Sequence, residues 1–318
     1  MTGCVPAADA SAPTSEPPSP TPSVEPTPSI AAKPALALGG DCAVLSDEAG
    51  ISRLIGEDVT LVTDLDQRAT FSLAVLGGSG CTWIGASQGQ VSLALIPAVG
   101  LEAQVAEAEA QSPFCYGAVP EDRCSFSTVV AGYWLSGIVG VTPGADGTAL
   151  DAIDILTARL ADVAATAAPV AAARPDGVWP ALPDCSGLGA GVDSAAVLGA
   201  PYVAAAGNRG ELTPGASGAI AVVGDLTCEW GSADASQWFT SELMPGAGWA
   251  ITELAARAGA EPVVVDGALQ AVALPVDGGL AALYATDGVN LAWVTVPTDI
   301  DRASSSALVS ALMAAASR

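Results

Sequence analysis

The chain has 318 residues, of which 51% are hydrophobic, 14% charged and 5% aromatic, with a formal charge of −24. That length allows two domains of ordinary size, each burying its own mainly aliphatic core. The acidic balance, 16 acidic against 4 basic side chains in residues 38–168 and 14 against 4 in residues 184–318, argues against nucleic acid and anionic lipid as partners.

The N-terminus reads Met1-Thr2-Gly3-Cys4 and continues in Pro, Ser, Thr and Ala to residue 37. The first four residues resemble the end of a bacterial lipobox, with Met where Leu is usual and Cys4 as the lipidated residue. The hydrophobic export segment that precedes a lipobox is expected upstream of Met1. Residues 5–37 hold too little apolar surface to offset their ordering entropy and read as a disordered, extended stalk. Residues 1–37 are therefore assigned to anchor and stalk. The apolar run 129–141 is too short to span a bilayer.

Residues 38–168 form a first domain. Ser46 is expected to cap a helix with Asp47 and Glu48 in its first turn and Gly56 at its end. Extended runs follow at Val59–Thr63, Thr70–Leu76, Gly80–Gly85 and Gln90–Ile96. A helix is expected near 101–111, strands at 124–131 and 133–141, and a closing helix over 148–164 capped by Thr148. Residues 169–183 read as an Ala/Pro linker in which Trp179, among prolines, anchors between the domains. Residues 184–318 repeat the plan, with a helix near 190–198, strands near 218–223, 227–231 and 236–243, a helix near 248–258, a turn at Asp266-Gly267, a strand at 289–296 and a closing helix over 302–316.

The repetition is visible in the residues. Asp41, Cys42, Leu45 and Gly56 match Asp184, Cys185, Leu188 and Gly199, and Cys81-x-Trp83 is echoed by Cys228-x-Trp230. Six cysteines allow fifteen pairings. Equivalent bridges in both copies select Cys42–Cys81 and Cys185–Cys228, which leaves Cys115–Cys124. Such bridges persist outside the cytoplasm. The element order gives an α+β fold, two tandem copies of an antiparallel sheet packed with helices, each stapled by a disulfide. The Asp-Cys-x-x-Leu segment followed by Cys-x-Trp resembles a family of actinobacterial secreted lipoproteins of unknown function. That resemblance implies a Mog1/PsbP-like sandwich and supplies no activity.

Chemistry is sparse. The chain has no histidine, and Lys33, in the stalk segment, is its one lysine. The usual general base, zinc ligand and Ser-His or Ser-Lys nucleophile are thus missing, and an enzyme is not expected. No cofactor and no metal site are expected either. Asp64-x-Asp66 and Asp299-x-Asp301 lack the remaining spacing of a calcium loop and read as turns and helix starts. Gly187-Leu188-Gly189-Ala190-Gly191 reads as a loop leading into a helix. Trp83, Trp230 and Trp249 read as core. Trp238 shares a strand face with Thr240 and Glu242, and is the one ligand-binding candidate, the competing reading being cover by a helix. The expectation is a surface-anchored, non-enzymatic binding module for an unknown protein, peptide or envelope ligand, held to the outer face of the cell membrane by a lipid on Cys4. The alternative is a structural or assembly partner of an envelope complex that takes no small ligand.

Overall fold

The computed structural model describes Met1 and residues 29–62, 67–87, 89–116, 122–142, 145, 147–234 and 236–318. Cys4, Asp64, Asp66 and the stalk up to residue 28 lie outside the described residues. The first half runs α1 (Glu48–Ile55), β1 (Val59–Val62), α2 (Gln67–Val75), β2 (Ser79–Gly85), β3 (Gln90–Pro97), α3 (Glu102–Glu109), β4 (Phe114–Tyr116), β5 (Arg123–Val130), β6 (Tyr133–Gly140) and α4 (Ala149–Ala164). The second half runs α5 (Cys185–Gly191), α6 (Ser194–Leu198), β7 (Tyr202–Ala206), α7 (Pro214–Val223), β8 (Leu226–Ser232), β9 (Trp238–Met244), α8 (Ala250–Ala255), β10 (Glu261–Val263), β11 (Gln270–Val276), β12 (Leu280–Thr286), β13 (Leu291–Pro297) and α9 (Arg302–Ala316).

The fold is α+β, with two antiparallel sheets packed with helices. Their strand orders are β1-β2-β3-β6-β5-β4 and β7-β8-β9-β13-β12-β11-β10. The orders coincide element for element, with β10 as an added edge strand in the second half. Disulfides join Cys42 to Cys81, Cys115 to Cys124 and Cys185 to Cys228. The first ties the turn before α1, and the third the first residue of α5, to the strand carrying Cys-x-Trp. Trp83 and Trp230 are buried on that same outer face, under α4 and α9 respectively.

Several helix boundaries follow from capping chemistry. Thr148 and Asp151 form a reciprocal capping box at the start of α4, and Asp301 accepts from the Ser304 N–H at the start of α9. At α1 the cap is Asp47, which accepts from the Gly50 N–H at 2.7 Å, and not Ser46. The first edge strand of each sheet is sealed by the helix before it. Ser52 Oγ and a Glu48 carboxylate oxygen accept from the N–H groups of Val59 and Leu61, and Ser194 Oγ accepts from the Tyr202 N–H. The opposite edges, β4 and β10, are three residues long, and β10 carries Pro262. Short, sealed or proline-bearing edges resist pairing with another chain.

Two segments expected as strands are helices, and they are equivalent segments. Thr70–Leu76 falls largely within α2, and 218–223 within α7. Phe71, Ser72, Leu73 and Ala74 are all buried, as are Gly215, Ala216, Ala219, Ile220 and Val223. A helix buried on more than one side carries no 3.6-residue polar stripe, so its short apolar run resembles a strand. The glycine run at 187–191 is the body of α5, capped by Asp184, and not a loop.

Trp179 is buried in the second half's own core, with its backbone N–H donating to Asn290 Oδ1 at 3.0 Å, instead of lying between the halves. Residues 29–37, read as the end of a disordered stalk, form a strap across both halves. The Ala31 N–H donates to the Gly288 carbonyl at 2.7 Å and the Ala37 N–H to the Gly77 carbonyl at 2.7 Å. Ile30 and Leu36 pack against the apolar cluster on the inner face of the second sheet, and Ala37 is buried in the first core.

Candidate functional site

The outer face of each sheet is closed by its own long helix, so the inner faces, turned toward each other, are where the molecule has something left to do. Helices α2 and α7 lie between them and cross over. Phe71 and Ala74 of α2 join a cluster with Met244, Trp249, Tyr284 and Trp293 of the second half. Phe71 meets Trp249 edge-on at 5.6 Å and Trp293 at 6.4 Å between ring centroids. In return Ala219 of α7 joins Ala94, Ile96, Leu101 and Trp134 of the first half. Polar contacts accompany the crossing. The Gly215 N–H donates to the buried Ser136 Oγ at 2.7 Å, and the buried Ser72 hydroxyl donates to Asp225 at 3.0 Å.

Beside this contact a cavity of about 570 Å³ opens at the junction. Its floor is the inner face of β2 and β3, where Gln90 donates to Ser92 Oγ at 2.8 Å and Thr82 to the same oxygen at 3.4 Å. One wall is the 209–213 segment leading into α7, and another is α2; Trp249 and Glu253 add a third, with the strap across them. Lys33 pairs with Glu253 at 2.5 Å and stands 4.9 Å from the centre of the Trp249 ring. Two residues that line this cavity each carry a buried hydrogen-bond donor that finds no acceptor among the described residues. The Arg209 Nη2 donates to the Asp225 carbonyl at 2.7 Å and to its carboxylate at 3.3 Å, while Arg209 Nη1 is buried without a bond. Trp249 Nε1 is in the same position. Buried donors without protein partners are uncommon, and an ordered water, a ligand group or local strain accounts for them.

A second polar cluster pins the junction at the far end of the floor. Arg123 Nη2 meets Glu211 at 2.6 Å, its Nε donates to the Tyr116 hydroxyl at 3.1 Å, and Tyr116 donates to Glu211. Partial burial acts to raise the Glu211 carboxyl, but the bonds from Tyr116 and the charged Arg123 prevail and hold it below the usual range. Burial and the neighbouring carboxylate push the Tyr116 hydroxyl up.

Sequence reasoning missed most of this site. Arg209, Lys33 and Glu253 carry no motif, and Trp249 reads as core, which it also is. The Thr213-Pro214 start and Gly224 end of α7 were a usable signal, since a capping Thr, a Pro in the first turn and a left-handed Gly delimit a helix. Trp238 is exposed and lies apart from the cavity. Among the described residues no three His, Cys, Asp or Glu side chains come together as a metal site, and no helix is long and apolar enough to cross a membrane. No family model, no curated protein and no solved structure matches the chain.

Proposed function

We propose that the protein is a lipid-anchored, extracytoplasmic binding module without catalytic activity, which holds a protein, peptide or envelope ligand in the cavity between its halves. The observation that carries this reading is the cavity itself, walled by both halves and by the strap, with two buried donors short of an acceptor. A ligand presenting an acceptor to Arg209 and an apolar part to Phe71 and Trp249 matches that lining. The disulfides favour an oxidising compartment, and Cys4 with residues 5–28 is the anchor and tether. The resemblance to actinobacterial lipoproteins and the origin of the two halves by duplication belong to the same proposal, supported by their common strand order and staple positions.

The test is native mass spectrometry of the secreted chain with its disulfides intact. The reading expects a discrete bound mass that denaturation removes and that Arg209→Met diminishes. A bare protein mass for both forms, across preparations from cells and from culture medium, contradicts it and favours a purely structural partner of an envelope complex.

A further inference from the structure

The inner face of the second sheet extends past α2 and α8 to a patch on β7, β8 and β9 that no described element covers. There Val203 is paired in register with Gly231, and Gly231 with Trp238. Directly opposed residues of antiparallel strands project to the same face. Their neighbours Tyr202, Ala204, Trp230 and Phe239 are buried in the core on the opposite face. On the open side Val203 is 72% exposed and Trp238 is 56% exposed.

Gly231 is the informative residue of the row. It is not among the glycines of positive φ, so the backbone does not require it. A Cβ built there would meet nothing within 4 Å, so packing does not require it either. A glycine inside a strand forgoes side-chain packing, and one recognised reason is close approach by another molecule. Neighbouring strands lie about 4.8 Å apart, so Val203 and Trp238 stand roughly 10 Å from each other across this gap. The result is a slot one side chain wide, with an indole as one wall.

The surroundings are anionic. Glu229 is exposed on the same face two residues along β8, in register with Ala205 and Thr240. Asp234 lies in the turn leading to Trp238, where the Ser232 and Ser236 hydroxyls hold its carboxyl down to about 2. The chain as a whole sets 34 acidic residues against 10 basic ones. An aliphatic stem ending in a cation meets both requirements, since it fills an apolar slot, lays its charge on the indole face and pairs with a carboxylate. Docking by strand addition is disfavoured, because Ser194 caps the Tyr202 N–H and Gly189 of α5 stands against the Ala204 backbone.

We propose that Val203, Gly231 and Trp238 form a slot for an arginine or lysine side chain of a cationic protein partner, with Glu229 as its counter-charge. This surface is separate from the cavity at the junction and does not depend on the reading given for it. The test is fluorescence anisotropy of a labelled octa-arginine peptide with the full chain at physiological ionic strength. Trp238→Ala is expected to weaken binding at least tenfold, Glu229→Gln severalfold, and Val264→Ala, an exposed residue elsewhere in the same half, not at all. Gly231→Val fills the slot while favouring the strand, so it should abolish binding in a protein that stays folded. Equal affinity for wild type, Trp238→Ala and Gly231→Val would reduce the effect to general charge attraction and overturn the proposal. So would no binding at millimolar peptide, or binding of a neutral oligosaccharide in its place.

Discussion

Helices α2 and α7 hold equivalent places in the two halves and are made of opposite material. After Pro214, α7 is built from Gly, Ala, Ser, Ile and Val and lies close on the first sheet, where a Cβ on Gly218 would stand 2.5 Å from the Trp134 ring. α2 carries Phe71, which wedges between Trp249 and Trp293 of the second half. A small helix meets a large tryptophan on one side, and a large phenylalanine enters an aromatic box on the other. Two bulky helices would overfill the junction and two small ones would leave it hollow. The halves share a topology but are not interchangeable, because their inner faces are complementary and not alike.

This contrast can be broken from either side. Phe71→Ala empties the aromatic box and should cost about 3–5 kcal/mol in chemical denaturation. A loss under about 1 kcal/mol would mean that α2 does not hold the halves together. Replacing both cysteines of either long staple by Ser should cost roughly 4 kcal/mol, and nearly the same in each half, because the closed loops span 39 and 43 residues. A large inequality between them would show that one half leans on its partner for stability and the other does not. Gly218→Ala overpacks Trp134 and should cost about 1–3 kcal/mol. The equivalent substitution at the outward-open Gly231, whose Cβ meets nothing, should be neutral or stabilising in the same assay.

The smallest effect expected is a pH dependence at the Tyr116–Arg123–Glu211 cluster. The folded Glu211 carboxyl lies below its ordinary value. Its contribution is therefore present above the ordinary glutamate pKa and is lost as pH falls through the depressed folded value. Glu211→Gln should flatten the acid limb of the stability profile and leave the neutral region lower. Tyr116, raised in the folded chain, gives the opposite limb, with a contribution present below the ordinary tyrosine pKa and lost as pH rises through the folded one. An unchanged acid limb in Glu211→Gln would remove this cluster from the junction's energetics.

What was legible in the sequence was local or covalent. The outer helices α4 and α9 show a capping residue and an apolar stripe, since one side of each faces water. The cysteine pairs repeat at matched positions, and the strands near Cys-x-Trp alternate. The crossing helices are not legible because burial on several sides erases the stripe, and both equivalent segments resemble strands for that one reason. The strap was hidden by composition, as Ile30, Lys33 and Leu36 stand alone among Pro and Ala. The cavity arises where two distant segments, 209–213 and 29–37, meet the inner face of β2 and β3, and no local pattern encodes such a meeting. Trp238 stands out within its own strand, but its juxtaposition with Gly231 and Val203 appears only in the cross-strand register.

The crossing of α2 and α7 packs each half's inner helix into the other half, which should make the two one cooperative body. Differential scanning calorimetry of the disulfide-intact chain tests it most directly, by comparing the calorimetric with the van't Hoff enthalpy. A single transition with the two enthalpies equal within error is expected for the wild type, and their separation in Phe71→Ala. Two resolved transitions in the wild type, or a calorimetric enthalpy near twice the van't Hoff value, would mean that the halves unfold independently and that their contact is incidental.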